Sequence, residues 1–392
     1  MVAPSPTGLP HSKVPEHAMV LTEIFLKNFR NHTETHVAFG TGINALLGNN
    51  GQGKTTILEA ISYLGLTKSF YASGDGMVVQ IGRDGFEVDG TVKTDSGVGH
   101  RVELEYNQTS GKKSVLIDRT QPETLASVIG RFPVVILSPE NSAITSRGPA
   151  ERRRFLDIVL SQVSAAYLTD LLEYRRVLRQ RNRILGEARN SGTLTGDLLA
   201  PWTESLVLHA TRIIERRARF IAEFGPYVVE GYHMLVGQGE EPEVRYDTVA
   251  GDAVSATDIE ARLVARLHER RSEEWKRGIT LVGPHRDDLV FSLNGMGVQE
   301  FASQGQHKSF LVALKIAEFY YLRDRKGEVP MLLLDDVFSE LDEHRAGNIL
   351  KLVTSLGQSI ITATDDRAFH GTVPWNDHHR RFFVESGTCR PG

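Results

Sequence analysis

The segment Gly48-Asn49-Asn50-Gly51-Gln52-Gly53-Lys54-Thr55 matches the pattern G-x-x-x-x-G-K-S/T of a nucleotide phosphate loop. An apolar strand is predicted directly before it, at residues 43–47, and apolar residues with helical spacing follow it at 56–66. A phosphate loop requires this strand-loop-helix context, whereas an ordinary glycine-rich turn, the alternative interpretation, does not. The segment therefore predicts a site for a nucleoside triphosphate.

Each residue type in this loop has a chemical role. Glycines permit positive φ, so that successive backbone N–H groups turn inward and face an anion. Lys54 is expected to reach the β- and γ-phosphates, and the Thr55 hydroxyl is expected to bind Mg²⁺. The pattern predicts nucleotide contacts at Asn50, Gly51, Gln52, Gly53, Lys54, Thr55 and Thr56.

A second segment carries the carboxylates that such a site needs. Residues 331–335 form an apolar strand of the kind buried in parallel sheets, and it ends in Asp335 and Asp336. Ligands bind at the carboxyl ends of strands in open α/β sheets. We assign Asp335 to Mg²⁺ through a water, and Asp336, together with Lys54, to catalysis, with Asp336 orienting or deprotonating the attacking water. The alternative is a solvated strand end.

About 280 residues separate Thr55 from Asp335, so a large segment must be inserted into one nucleotide-binding core. Helical patterns at 151–190, 201–236 and 255–277 fill that interval. We predict an α/β fold with a head made of residues 19–148 and 278–392, a mixed sheet with an antiparallel lobe, and an inserted α-helical domain at 149–277. Residues 1–18 are proline-rich and lack signal-peptide features, which predicts a disordered extension.

Smaller elements follow from the alternation of apolar residues and from the turn residues between them. An antiparallel meander is predicted across residues 77–120, with strands at 86–92, 101–106 and 114–117. A helix is predicted at 300–325. Further strands are predicted at 20–29, 36–39, 132–137, 278–282 and 359–364.

Composition excludes several classes of protein. The net charge of −4 gives no global attraction to nucleic acid, so a nucleic-acid site would have to be a local patch. The single cysteine, Cys389, cannot form a disulfide framework or a cysteine-based metal site, which fits a reducing cytosol. No apolar run is long enough to span a bilayer, so we expect no membrane partner.

The segment Ser303-Gln304-Gly305-Gln306 precedes an apolar helix and forms a second helix N-terminus suited to an anion. One nucleotide needs only one phosphate cradle. We therefore interpret this segment as a group that completes the nucleotide site of another protomer.

In this order along the chain, these motifs and Ser339-Glu340-Leu341-Asp342 resemble those of ABC-type ATPases. More narrowly, the chain resembles the RecF family, bacterial recombinational-repair relatives of the SMC proteins. The resemblance spans nearly the whole ordered chain, and its most specific parts are the arginine-rich and Gly-Pro-His-Arg-Asp-Asp segments. The matching segments are residues 27–31, 48–60, 138–140, 148–157, 283–288, 303–306 and 332–342.

The resemblance implies an ABC-type ATPase head with a short α-helical arm. It implies ATP- and Mg²⁺-dependent dimerisation around two nucleotides, with Ser303 and Gly305 touching the γ-phosphate in trans, and nucleotide contacts at Arg30 and Asn31. It further implies weak, DNA-stimulated ATP hydrolysis and binding to duplex DNA or duplex–single-strand junctions. The implied partners are RecR and RecO, which help to load RecA at gaps during the response to DNA damage. A cytoplasmic, nucleoid-associated location is expected.

Three features depart from the general ABC pattern. The signature reads Ala302-Ser303-Gln304-Gly305-Gln306 and not Leu-Ser-Gly-Gly-Gln, and residues 362–365 lack the histidine that many ABC proteins carry there. Asp336 replaces the usual glutamate and is one methylene shorter. Glu140 stands near the position where a glutamine usually senses Mg²⁺, which makes it a further candidate metal ligand.

The inserted domain offers a candidate DNA surface. Residues 149–220 contain 13 arginines and 8 acidic residues, although the chain as a whole is acidic. Arginine forks suit phosphate oxygens, but a solvated helix with i,i+4 ion pairs would have the same composition. With the family resemblance, DNA binding is favoured. The candidates are Arg175, Arg176, Arg179, Arg181 and Arg183, with Lys68 and Arg147 on the head.

Two other classes of function remain open at this point. One is another SMC/ABC-type ATPase, including a transporter subunit, although a transporter would lack the long helical insertion. The other is a phosphate-loop enzyme of small-molecule phosphoryl transfer, such as a kinase. A kinase would show an acceptor pocket and lid arginines and would not need the signature at 303–306.

Overall fold

The computed structural model describes residues 18–191, 196–253, 255–340 and 343–392. The predicted N-terminal extension lies outside the described residues, apart from residue 18. By their contacts, the described residues form two compact units. The first holds the residues up to Ser142, together with Glu230–Gly237 and Val312–Gly392. The second holds Ala143–Val229 and Gln238–Leu311.

This division by contacts gives residues 278–311, with the signature segment, to the same unit as most of the helices. The boundaries at 148/149 and 277/278 remain a prediction. They mark where the sequence pattern changes, whereas the contacts mark which residues pack together.

The secondary structure runs in chain order as follows. The strands are β1 Val20–Phe29, β2 His32–Ala38, β3 Ile43–Leu47, β4 Gly85–Lys93, β5 Gly99–Asn107, β6 Lys112–Ile117, β7 Val134–Leu137, β8 Pro242–Asp247, β9 Asp288–Leu293, β10 Met296–Gly297, β11 Met331–Leu334, β12 Ser359–Ala363, β13 Arg380–Glu385 and β14 Thr388–Pro391. The helices are α1 Lys54–Leu66, α2 Ser142–Ser146, α3 Pro149–Val163, α4 Ala165–Ser191, α5 Gly196–Val236, α6 Ala256–Arg277, α7 Val298–Phe301, α8 Gln304–Lys326 and α9 Glu343–Thr354.

The first unit contains two sheets. One has the order β2-β1-β4-β5-β6 and is antiparallel throughout. The other has the order β14-β13-β3-β12-β11-β7 and is parallel except for the β13–β14 hairpin. Every residue of β3, β7, β11 and β12 is buried, which explains their continuous apolar sequences. The predicted α/β fold, with a mixed sheet and an antiparallel lobe, is confirmed.

Helix α1 lies in the core that the two sheets share. Its residues Ile57, Leu58 and Ile61 are fully buried in one apolar cluster with side chains from both sheets. Phe29 and Phe86 of the antiparallel sheet pack edge-to-face, with ring centroids 5.0 Å apart. Burying α1 in this way fixes its N-terminal end, and therefore the phosphate loop, against the parallel strands.

The second unit combines long helices with a small sheet. Strands β8, β9 and β10 form an antiparallel sheet in the order β10-β9-β8. Helix α4 carries its buried residues at helical spacing, among them Tyr167, Leu171 and Tyr174, which explains the periodicity seen in the sequence. Among the helices that the structure describes, none has both the length and the apolar content that crossing a bilayer requires.

The strand predicted at residues 278–282 is wrong. Side chains, and not a neighbouring strand, satisfy the backbone there: Leu281 N–H donates to the Glu274 carboxylate at 2.8 Å, and Thr280 N–H donates to Asn182 Oδ1 at 2.7 Å. The strand in this region is β9, which begins at Asp288. Alternation of apolar residues over five positions could not reveal these polar partners.

The helix predicted at 300–325 is interrupted. Helix α7 ends at Phe301, Ala302 has extended backbone angles of φ −73° and ψ 140°, and α8 begins at Gln304. The break leaves α8 with an N-terminus of its own at the signature. Neither β8 nor the β13–β14 hairpin was predicted.

Candidate nucleotide and nucleic-acid sites

Sheet order brings the two separated motifs together. Strands β3 and β11 flank β12 and all three are parallel, so their carboxyl ends meet at one edge of the sheet. The phosphate loop follows β3, Asp335 and Asp336 follow β11, and Thr362 lies near the end of β12. This edge is where ligands bind in open α/β sheets.

Two glycines of the phosphate loop are fixed by conformation and by space. Gly48 has φ +152° and Gly53 has φ +110°, values that favour glycine. A Cβ on Gly48 would lie 2.3 Å from the carbonyl oxygen of Val384, and a Cβ on Gly53 would lie 2.5 Å from Nε2 of His32. The loop therefore depends on both glycines for its shape.

Lys54 folds back across the phosphate loop. Its Nζ donates to the carbonyl oxygens of Gly48 at 2.6 Å and Asn49 at 2.9 Å, and the residue is 8% exposed. Burial lowers the pKa of Lys54, and the nearby charges of Asp336 and Asp335 oppose that shift. The ammonium group is thus held over the loop, where phosphate oxygens would be bound.

Thr362 joins the carboxylate of Asp335 to the backbone of Asp336. Its hydroxyl donates to Asp335 Oδ1 at 2.7 Å and accepts from the backbone N–H of Asp336 at 2.8 Å. Thr55 Oγ1 donates to the same carboxylate at 2.8 Å. Burial raises the pKa of Asp335, the hydrogen bonds from Thr362 and Thr55 oppose that rise, and the charges of Glu140 and Asp336 add to it.

These groups fit Mg²⁺ bound together with a nucleotide. No group of three or more His, Cys, Asp or Glu residues in the described part of the chain is arranged to hold a metal ion. Mg²⁺ commonly takes only one or two carboxylates and completes its shell with waters and phosphates. A cation beside Asp335 and Thr55 would also offset the mutual repulsion of Asp335, Asp336 and Glu140.

The motifs surround a cavity of about 370 Å³. Tyr71, Glu59, Pro139 and Thr362 line it although they were not predicted. The lining residues are Arg30, Asn31, Asn50, Gly51, Gly53, Lys54, Thr55, Thr56, Glu59, Tyr71, Pro139, Glu140, Asp335, Asp336 and Thr362.

Arg30 and Asn31, which only the family resemblance indicated, lie at this cavity. Arg30 pairs with the buried carboxylate of Glu59 and lies over the Tyr71 ring, 5.5 Å from its centroid. The Tyr71 ring is half exposed. In the sequence, the signal that could have found Tyr71 is an aromatic residue shortly after the phosphate-loop helix.

Gln52 is the one phosphate-loop residue with a predicted nucleotide contact that does not line the cavity. Its side-chain oxygen accepts from the backbone N–H of Ser386 at 2.7 Å. Its backbone oxygen accepts from Gly387 N–H and from Asn31 Nδ2, each at 3.0 Å. The turn between β13 and β14 therefore supports the loop from outside, a contact that spans more than 330 residues.

The signature segment begins α8 with a reciprocal cap. The Ser303 hydroxyl accepts from Gln306 N–H at 3.2 Å, and Gln306 Oε1 accepts from Ser303 N–H at 2.8 Å. Gln306 Nε2 also donates to Glu240 at 2.6 Å. Ser303 and Gln304 are exposed and Gly305 is half-buried, so this helix end is accessible within its own unit. Of the Ser339-Glu340-Leu341-Asp342 motif, Leu341 and Asp342 lie outside the described residues.

Four of the five candidate arginines on α4 are exposed: Arg175, Arg176, Arg179 and Arg183. Arg175, Arg179 and Arg183 are spaced by four and so share one face of the helix. Three of the four have carboxylate partners, Asp157, Glu173 and Glu187. Arg179 forms no ion pair with any residue that the structure describes. Lys68 and Arg147 are exposed as well.

Arg181 does not fit the prediction of DNA binding. Its side chain is 3% exposed and donates to Glu274 at 2.7 Å, to Thr280 at 2.8 Å and to Thr203 at 3.1 Å. A guanidinium enclosed in this way cannot reach a DNA phosphate. In the sequence, Arg181 has the same arginine-rich surroundings as the other candidates on α4. Arg181 differs from them only in the side of the helix on which it lies.

Replacing Thr362 with valine should slow ATP hydrolysis by about 10–100-fold, because an outer residue that orients a metal-ligating group is lost. The valine would leave a carboxylate oxygen of Asp335 and the N–H of Asp336 without their shared partner. Phosphate release measured across a Mg²⁺ titration checks this. Thr362→Ser keeps the hydroxyl and should stay close to the parent. Equal rates for the valine and serine variants would contradict this role.

Comparison with known proteins gives three consistent findings. Residues 20–388 match the model of the RecF/RecN/SMC N-terminal domain. The DNA replication and repair protein RecF of Salinibacter ruber is 42% identical over 351 residues, which cover 88% of this chain and 85% of that protein. RecF of Chloroherpeton thalassium is 40% identical over 356 residues, which cover 90% and 96% of the two chains.

Solved structures that are similar to this chain include one of RecF and one of an Smc head. The structure of the recombination mediator protein RecF-ATP in the RecFOR pathway is similar with a TM-score of 0.88 and 31% identity, covering 97% of this chain and 99% of that one. An Smc head bound to the C-terminal winged-helix domain of ScpA is similar with a TM-score of 0.54 and 14% identity, covering 95% and 96% of the two chains. The second likeness shows the fold alone.

Proposed function

The chain belongs to the RecF family of DNA replication and repair proteins, and from that premise we propose that its ATP-bound form is a homodimer that clamps duplex DNA or duplex–single-strand junctions. Slow ATP hydrolysis, stimulated by DNA, resets the clamp. The protein acts in the cytoplasm, and RecR and RecO are its partners. Together they help to load RecA at gaps in DNA.

The observation that carries this proposal is the presence of two anion-ready helix N-termini. The N-terminus of α1 follows the phosphate loop in the first unit, and the exposed N-terminus of α8 carries the signature in the second. One nucleotide on one chain needs only the first of these. An exposed, capped second site is what a sandwich of two protomers uses, with Ser303 and Gly305 of one reaching the γ-phosphate held by Lys54 of the other.

The residues around the cavity support in-line attack by water on the γ-phosphate. Thr55 and Asp335 would hold Mg²⁺, which supplies positive charge to the phosphate oxygens when bound. Lys54 adds a further positive charge from the loop. The carboxylate of Asp336, which lines the cavity, would orient a water and accept its proton. Glu140, which also lines the cavity, is a further candidate for contact with the hydrated metal.

Binding of a fluorescent DNA duplex tests the clamp. The parent protein should bind more tightly with a slowly hydrolysed ATP analogue than without nucleotide, because only the dimer encloses the duplex. Affinity should fall as salt rises, since phosphate contacts release counterions. Equal affinity with and without the analogue would contradict the clamp.

Replacing Arg175, Arg176 and Arg179 together with alanine should weaken duplex binding. The slope of log affinity against log salt should become shallower by up to about 5, because the dimer loses six arginines and each lost phosphate contact contributes roughly 0.9. A matched control replaces Arg266, Arg270 and Arg277 of α6 with alanine. These arginines are about half exposed, and their replacement removes the same positive charge. If both triple variants lose affinity equally, α4 is not the DNA surface.

A further inference from the structure

Two specific sequence motifs are not used by the nucleotide site or by the DNA surface. One is the arginine triplet at the start of α3, and the other is the Asp287-Asp288 pair that leads into β9. In the second unit they bind each other. Arg152 binds the Asp288 carboxylate through two N–H groups on one edge of its guanidinium, Nε to Oδ1 and Nη2 to Oδ2, each at 2.7 Å. Arg153 donates to the backbone oxygen of Asp287 at 2.7 Å.

The remaining nitrogen of the Arg152 guanidinium, Nη1, connects Arg152 to the helix that precedes the signature. Nη1 donates to the backbone oxygen of Arg147 at 2.6 Å and to Gln299 Oε1 at 3.1 Å. Gln299 lies in α7, whose last residue, Phe301, is two positions before Ser303. One guanidinium, only 5% exposed, therefore ties α3, the start of β9 and α7 together.

The other side of the signature is held by the same small sheet. Gln306 donates to Glu240, which lies just before β8. Strand β8 pairs with β9, and that pairing ends at the Asp247–Asp288 pair, beside Arg152. The signature therefore has two supports, one through Gln299 and one through Glu240. Both connect it to the sheet that contains β9, the strand that begins at Asp288.

We propose that Arg152 is a positioning residue that sets the geometry of the signature, acting through Asp288 and Gln299 without touching the nucleotide. This inference rests on the proposed function, since the signature acts on the nucleotide of the other protomer. A fork bound at both edges fixes orientation as well as distance, which a lysine could not do. Displacing a group by about 1 Å can cost roughly a hundredfold in rate, so a loosened signature is expected to impair the composite site.

Gln299→Ala is the milder variant, because Gln299 is exposed and, among the residues that the structure describes, its side chain bonds to Arg152 alone. Arg152→Gln is the stronger variant. Both should bind a fluorescent ATP analogue as the parent does. Both should lose ATP-dependent dimerisation and hydrolysis, by about tenfold or more for Arg152→Gln. Arg154→Gln, the exposed neighbour on α3, is the matched control and should behave as the parent does.

Mixing variants separates a displaced signature from a damaged protein. A Lys54→Ala chain lacks a working phosphate loop but keeps its signature, so it can complete the site of an Arg152→Gln chain. An equimolar mixture should recover about a quarter of the parental hydrolysis, because half of the dimers are mixed and each has one intact composite site. A Ser303→Arg chain mixed with Lys54→Ala calibrates this recovery.

The outcomes are distinct. Recovery in both mixtures supports the role of Arg152. Recovery with Ser303→Arg but not with Arg152→Gln would overturn that role and leave the sandwich intact. No recovery in either mixture would overturn the sandwich and the inference together. Loss of ATP binding by Arg152→Gln or Gln299→Ala alone would also overturn it, because neither residue lies in the nucleotide-binding unit.

Discussion

Replacing Lys54 with alanine is expected to lower the affinity for ATP by about a hundredfold or more. Hydrogen bonds to charged groups contribute roughly 1.5–3 kcal/mol each, and about 1.4 kcal/mol corresponds to a factor of ten. Lys54 would make more than one such bond to the phosphates. The substitution also removes its two bonds to the Gly48 and Asn49 carbonyls, so the shape of the empty loop is affected as well.

Titration with a fluorescent ATP analogue measures this effect directly. Lys112→Ala is the control, because Lys112 is exposed on β6 and loses a single positive charge in the same way. Thermal unfolding should be similar for the two variants. An unchanged ATP affinity in Lys54→Ala would remove Lys54 from the nucleotide site, and with it the interpretation of the whole loop.

Replacing Asp336 with asparagine is expected to slow ATP hydrolysis by about 10²–10⁴-fold, the usual contribution of a general base. ATP binding should persist, because the amide keeps the shape and removes a negative charge that faces the triphosphate. The substitution is also gentle on the backbone. Asp336 has φ +49°, a left-handed conformation that asparagine adopts more readily than most residues.

Single-turnover phosphate release checks this prediction. Asp377→Asn, at an exposed carboxylate on the surface, is the control and should hydrolyse ATP at the parental rate. Hydrolysis by Asp336→Asn close to the parental rate would mean that another group activates the water. Glu140, which lines the same cavity, would then be the first residue to test.

The phosphate loop, β3 and β11 could be predicted because their signals are local. A glycine pattern, a buried apolar strand and a lysine at fixed spacing are all contained within about 15 residues, and the parallel sheet then makes them meet. Arg30 and Asn31 were reached only through family resemblance, since neither has a local pattern of its own. The structure places both at the cavity, and their contact with the nucleotide remains a prediction.

What could not be predicted depends on contacts between distant residues. The turn at Ser386 and Gly387 supports Gln52. The sequence around Gln52 and the sequence around this turn contain no pattern that indicates the contact. The false strand at 278–282 has the same origin, because the carboxylate of Glu274 and the amide of Asn182 replace a strand partner. Arg181 is buried for the same reason: Glu274 also accepts from its guanidinium.

The molar mass of the Asp336→Asn variant, measured by light scattering at micromolar concentration with saturating ATP and Mg²⁺, tests the central claim most directly. One chain has a mass of 43.5 kDa. Two protomers that enclose ATP between Lys54 of one and Ser303 of the other should give twice that mass, and the value should return to that of a single chain when nucleotide is removed. A mass that stays at 43.5 kDa with ATP bound would contradict the account.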